Sequence, residues 1–359
     1  MKILVLKPTS LGDVVLALPV LRMLKKHWPD AEVHWWIEAG SAEILQDDPD
    51  LAGLVLFHRR RWRAPRYWHE AVGSVLAMRD RHFDLVIDLQ ALLRSAVVSW
   101  GVGAGTSIGL DDSREAAPVF YDQRIPRPTP KCHALDWYLA VVDALEIPRR
   151  WDFEWLPVHE PSRQAVQRRW ANRAEGWVVI QPGARWENKR WPVDYYAAAV
   201  AGIAELRGDL GFVVVGGPSE RALGDVLAKA VPGRVLSLCG ETSLREMVEW
   251  IRGARLFLGN DSGPMHIAAA LKTPTVSIFG PTDPSRTGPY TDRATVLRRD
   301  LPCSPCLKDK CSYQEPLACL HRIPVTDVVR ACWQSLLDWQ AGNGAAPDAV
   351  ETAGVRAGG

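Results

Sequence analysis

Short apolar runs alternate with helix-compatible stretches along nearly the whole chain, and that alternation leaves few folds open. KILVL at 2–6, VHWWI at 33–37, LVLF at 54–57 and DLVID at 84–88 read as strands, with helical stretches near 14–27 and 66–80. The order resumes with VVIQPG at 178–183, FVVVGGP at 212–218, RVLSL at 234–238, RLFLGND at 255–261 and TVSIFGP at 275–281. Runs this short and apolar belong to parallel strands covered by helices on both faces. Between the blocks, IPRRWDFEWLPVHEPS at 147–162 replaces periodicity with Pro, charge and Trp and reads as a linker. RIPRPTPK at 124–131 reads as irregular, leading into a helix that starts near His133. The expectation is an α/β chain of two doubly wound, Rossmann-like domains, 1–155 and 156–340, with a disordered tail at 341–359. Ligands bind such sheets at the carboxyl ends of their strands, which places the site between the domains.

Charge is nearly balanced, 43 basic residues against 42 acidic, so nothing in the overall composition calls for nucleic acid. The chain runs from Met1-Lys2 straight into a strand, with no basic and apolar leader, and the expected location is the cytoplasm. No apolar run approaches the ~20 residues that cross a bilayer, which leaves attachment to a membrane surface open.

Chemistry concentrates at strand ends. LGNDSGPMHIAAALKTP at 258–274 puts Asn260, Asp261, Ser262 and Gly263 before a helix with Pro264 and His266 in its first turn; its free N–H groups suit a diphosphate. The same residues would also serve an ordinary capped helix, with Asp261 or Ser262 as N-cap. QPGARWENKRWP at 181–192 carries Lys189, a candidate phosphate cation, and GGPSER at 216–221 carries Glu220, a candidate acceptor from ribose hydroxyls. At the start, KPTSLGDVVLALP at 7–19 lacks the G-x-G-x-x-G of a dinucleotide site and places Asp13 where phosphate would lie, which argues against an NAD-dependent oxidoreductase.

GDVVLALP, PGARWENKRWP, and GNDSGPMHIAAA followed by PTVSIFGPTDPSRTGPY, in this order over about residues 1–335, resemble glycosyltransferase family 9, the ADP-heptose lipopolysaccharide heptosyltransferases. FDLVIDLQALLRSA at 83–96 and CHALDWY at 132–138 are similar to the family's first domain. The resemblance implies a GT-B fold and inverting transfer without an obligatory metal or cofactor, the ADP-sugar being a substrate. It implies Asp13 as base, Lys189 with the Ser262–Gly263 backbone at the diphosphate, Glu220 at the adenosine ribose, and Asp261 and His266 at the sugar-diphosphate region. The acceptor would be an anionic lipid-linked saccharide, met by the first domain at the inner face of the cytoplasmic membrane. HRRRWRAPRYWHE at 58–70 supplies Arg59, Arg60, Arg61 and Arg63 for that role, and Arg114 is a further candidate. Which heptose is added stays open, as do a different nucleotide sugar and a non-catalytic binding module.

CSPCLKDKCSYQEPLAC places Cys303, Cys306, Cys311 and Cys319 together, one C-x2-C followed by single cysteines. The preferred reading is a reduced, loop-stabilising cluster, with structural zinc as the alternative.

Overall fold

The computed structural model describes residues 1–112 and 115–343. Its first half holds six parallel strands: β1 (Lys2–Leu6), β2 (Glu32–Glu38), β3 (Gly53–Phe57), β4 (Leu85–Asp88), β5 (Thr106–Asp111) and β6 (Gln123–Pro126), in the order β3-β2-β1-β4-β5-β6. Between and after them run helices α1 (Leu11–His27), α2 (Trp68–Arg79), α3 (Leu93–Val102) and α4 (Ala134–Ala144). Along β1, Ile3 and Val5 face one helical layer while Leu4 and Leu6 join Trp36, Val86, Met78 and Val102 on the other, the period-2 alternation of a strand buried on both sides.

The second half repeats this plan. β7 (Gly176–Gln181), β8 (Leu210–Val214), β9 (Val235–Ser237), β10 (Leu256–Asn260), β11 (Thr275–Ile278) and β12 (Ala294–Leu297) are ordered β12-β11-β10-β7-β8-β9. They are interleaved with α5 (Glu160–Trp170), α6 (Val193–Leu206), α7 (Arg221–Ala230), α8 (Leu244–Arg252), α9 (Gly263–Ala270), α10 (Pro284–Thr287), α11 (Ala318–His321) and α12 (Val325–Asn343).

In both sheets the strand order reverses beside the first strand, at β1/β4 and at β7/β10, and the crevice opens at such a switch point. One apolar cluster continues from Ile3 and Val5 through α1 and α4 into Met265 and Ile267 of α9 and Phe257 of β10, so the two sheets face each other across a shared core. The helix α1 lies directly on α9. A Cβ on Gly12 would stand 2.4 Å from His266 Cδ2, so only glycine permits that approach.

The stretch expected to be irregular at 124–131 begins as strand: β6 pairs with β5 through Gln123–Pro126, and Pro126 is tolerated because β6 is an edge. Of the tail expected at 341–359, residues 344–359 lie outside the described residues.

Candidate active site

The N-terminal wall begins where β1 ends. Ser10 caps α1, and Asp13, in its first turn, closes the box: Asp13 Oδ2 accepts from Ser10 N–H at 3.0 Å and from Ser10 Oγ at 2.8 Å. Tyr138 of α4 donates its hydroxyl to Oδ1 at 3.3 Å. Behind them Lys7 is buried, its Nζ donating to the Leu89 carbonyl at 2.9 Å and lying 4.7 Å from the Tyr138 ring centroid. Burial pushes the Asp13 carboxyl up, but the Lys7 ammonium and the two Ser10 hydrogen bonds outweigh it and hold the group below the usual carboxylate range. Asp13 is therefore ionised at neutral pH.

The opposite wall is built around Asn260, fully buried at the end of β10. Its Nδ2 donates to the Pro182 carbonyl at 2.8 Å, and its Oδ1 accepts from Trp191 N–H and Tyr196 Oη, both at 3.0 Å. These bonds fix the loop after β7 that carries Lys189. The Lys189 ammonium meets Asp261 Oδ2 at 2.6 Å, and Thr282 Oγ1 donates to the same oxygen at 2.5 Å. Gln181 Oε1 accepts from Ser262 Oγ at 2.7 Å, leaving the backbone N–H groups at the start of α9 to face the cleft. Glu220 Oε2 accepts from Gly217 N–H at 2.7 Å. A Cβ on Gly183 would fall 1.5 Å from Glu220 Oε1, so the carboxylate fills the place of the missing side chain. His266 lies between the walls, within the fields of both Asp261 and Asp13; burial lowers it to about 4, and the imidazole is neutral.

Asp13, Lys189, Glu220, Asp261, Ser262, Gly263 and His266 all line one cleft of about 840 Å³ between the domains. The model for glycosyltransferase family 9 (heptosyltransferase) matches residues 75–316. The lipopolysaccharide heptosyltransferase 1 of Pseudomonas aeruginosa is 32% identical, covering 88% of each chain. This chain belongs to glycosyltransferase family 9. A lipooligosaccharide heptosyltransferase 2 of Campylobacter jejuni is 26% identical, over 87% of this chain and 91% of the relative. Among solved structures, the family 9 enzyme of Veillonella parvula superposes with a TM-score of 0.80 at 22% identity, over 94% of this chain and 97% of that one. The ADP-heptose heptosyltransferase II of E. coli superposes at 0.76 and 22% identity, over 94% and 99%. The fold is therefore GT-B, two facing Rossmann-like domains.

Not every expected residue of this family 9 chain meets in the cleft. Arg59, Arg60, Arg61 and Arg63 are not among its lining side chains; they follow β3 at the carboxyl edge of the first sheet. Arg61 is engaged by Glu70, at 2.7 and 2.5 Å. Arg114 lies outside the described residues. The cations that do line the cleft include Arg127, before α4, and Arg286, in α10 of the opposite domain. Arg127 is pulled down by burial and by the field of Arg286, which lines the same cleft from the other wall. The sequence held a signal for Arg286, which falls inside PTDPSRTGPY, and for Tyr138, inside CHALDWY, but gave no reason to aim either at Asp13 or at an anion.

The four clustered cysteines line one small cavity with Asn188 and Pro281, and Cys311 Sγ accepts from Leu317 N–H at 3.3 Å. Among the described residues, no three His, Cys, Asp or Glu side chains are arranged to hold a metal ion. All seven cysteines are unpaired thiols.

Proposed function

We propose that this protein transfers heptose from ADP-heptose to the inner core of lipopolysaccharide, with Kdo-lipid A or heptosyl-Kdo-lipid A as acceptor. What carries the reading is one cleft with an ionised carboxylate, Asp13, on the first domain and the Lys189–Asp261–α9 constellation on the second. Residues 1–155 would hold the acceptor and 156–340 the donor.

On this reading Asp13 takes the proton of the acceptor hydroxyl as its oxygen bonds to the anomeric carbon. The bond from that carbon to the diphosphate oxygen breaks on the opposite face, so the configuration inverts. ADP leaves with its charge met by Lys189 and the N–H groups of Ser262 and Gly263. Glu220 accepts from the ribose hydroxyls. Asp261, braced by the Thr282 hydroxyl, holds Lys189 in place, and His266, neutral, packs at the sugar-diphosphate region. Arg127 and Arg286 provide charge for the anionic acceptor from the two walls. Because that acceptor is lipid-linked, we place the protein at the inner face of the cytoplasmic membrane. No helix among the described residues is long and apolar enough to cross a membrane.

The test is incubation with ADP-heptose and each truncated lipid A acceptor, beside UDP- and GDP-sugars. Heptosyl transfer from ADP-heptose alone is expected; transfer only from a UDP-sugar would overturn the reading. The leaving-group chemistry assigned to Lys189 calls for no metal ion, so EDTA should leave the rate unchanged, and loss restored by Mg²⁺ would refute that part.

A further inference from the structure

We infer that the outer helical layer of the first domain, α2 and α3 with the 3-10 turn Ala117–Phe120, is a docking surface for an anionic lipid bilayer. The choice of a bilayer as occupant rests on the lipid-linked acceptor of the proposed function.

The observation behind it is an inverted helix pattern. A surface helix normally turns polar side chains to water and apolar ones to the core. In α2, WHEAVGSVLAMR, the only fully buried side chain is Met78, while Trp68, Val72 and Leu76 are 59%, 57% and 52% exposed. Their i, i+4, i+8 spacing lines them along one side of the helix. The neighbouring α3 does the same at i, i+4, i+7, with Leu93, Val97 and Trp100 at 42%, 45% and 68% exposure. Val119, 65% exposed, extends the surface across the 3-10 turn, where the Phe120 ring meets the Trp100 ring edge-on at 6.5 Å. These three elements pack side by side, so the exposed apolar groups form one face rather than scattered single residues.

Charge says what covers it. Arg59 and Arg63 lie close enough to Arg94 for their fields to act on it, and Arg60 and Arg66 are exposed beside them. Of the nearby acids, Glu70 holds Arg61 and Glu115 accepts from Leu93 N–H at 2.9 Å, while the field of Glu38 also reaches Arg94, so the arginines outnumber the acids at this rim. An apolar, Trp-bearing face rimmed by arginines suits the boundary between anionic headgroups and acyl chains, where arginine stems lie along apolar surface and their heads reach phosphate. The arginines after β3 stand at the carboxyl edge of the sheet that presents Asp13, so a bilayer on this face lies beside the cleft.

The full-length protein is floated with vesicles of phosphatidylethanolamine and phosphatidylglycerol, and with phosphatidylcholine vesicles as the neutral control. Binding to the anionic vesicles that weakens with salt is expected. Trp68→Ser with Val72→Ser, and Val97→Ser with Trp100→Ser, should each lower the partition coefficient about tenfold or more. Arg94→Gln should lower it about fivefold on anionic vesicles only. All three should keep the wild-type unfolding midpoint, and the two serine pairs should keep the rate on a water-soluble acceptor fragment. Variants that bind as the wild type does, or a wild type that binds neither vesicle, would overturn the inference. So would a wild-type dimer in lipid-free solution that the serine pairs dissolve, which would assign the face to a second copy. Failure of ADP-heptose transfer with vesicle binding intact would instead remove the proposed function and leave the surface standing.

Discussion

Asp13 carries two duties that ordinary mutagenesis would confuse. Its Oδ2 closes the capping box with Ser10, a contact whose loss costs about 1 kcal/mol, while the carboxylate as a whole lines the cleft. Asp13→Asn keeps an oxygen acceptor for the cap and removes the carboxylate proposed as the base. We expect its unfolding midpoint to stay near wild type while kcat falls about 10²–10⁴-fold with ADP-sugar affinity kept. Abolished donor binding in a titration would show that the base assignment is wrong. Tyr138→Phe separates orientation from chemistry. Asp13 sits below its ordinary range, and losing the Tyr138 donor raises it towards that range. The acid limb of the kcat/KM profile should therefore move to higher pH; an unmoved limb would make Tyr138 a packing residue only. For His266 the sign runs through stability. The folded imidazole titrates at about 4 and the unfolded one near 6.5, so acid favours the unfolded chain. Stability should be full above about 6.5 and fall by on the order of 3 kcal/mol as pH drops towards 4. Urea midpoints across that window should fall less steeply for His266→Gln, and parallel curves would refute the assignment.

Strands were legible in the sequence where their apolar run was unbroken, the edge strands β3 and β9 included. β1, β4, β7, β8, β10 and β11 lie inside their sheets, and each reads as an apolar run. β6 and β12 are edges, QRIP carrying proline and ATVL only partly buried, so neither shows the two-sided apolar signature; β5, TSIGLD, is diluted by Ser and Gly. The apolar side of α3 that points outward hides its helical period for the same physical reason. The strand-end rule brought Asp13, Lys189, Glu220 and Asp261 to one cleft from residues alone. It could not supply Tyr138, whose approach to Asp13 depends on how α4 packs beside α1, or Lys7, whose ammonium is fixed by the Leu89 carbonyl after β4. The turn after β7 offers a test at this scale. Gly183→Ala would push the Glu220 carboxylate out of its cradle, since the new Cβ would overlap Oε1. ADP affinity by calorimetry should drop about tenfold, roughly the value of one charged hydrogen bond, with little change in folding. Unchanged affinity would free Glu220 from the ribose role.

Among the described residues the two domains share an apolar core and are also clasped at its centre and on two flanks, and the molecule's behaviour should follow from these contacts. In the middle α1 lies on α9 through Gly12 and His266. On one flank His133 Nε2 is 3.1 Å from the Gly288 carbonyl, and Tyr290 donates to Asp136 at 2.9 Å. On the other, Glu43 of the first domain accepts from Leu244 N–H at 3.0 Å, capping α8 of the second. Arg245 returns the contact, reaching the Glu43 carbonyl at 3.2 Å, the Gln46 carbonyl and Asp47 at 2.9 Å. Glu43 and Leu244 also line the cleft, so this clasp sets the spacing of its walls. Polar contacts of this kind, unlike a dry apolar interface, permit relative domain motion when loosened. Arg245→Ala removes several bonds at once without touching either sheet. Its radius of gyration in solution scattering should rise, and its KM for the donor should increase, while the spectroscopic signature of both domains stays intact. Its thermal transition should also be broader than that of the wild type, because the second domain is clasped less tightly against the shared core. Scattering curves that superpose on wild type, with an unchanged KM, would mean that α1 and α9 alone hold the walls apart, and Gly12→Ala would then be the change that opens the molecule.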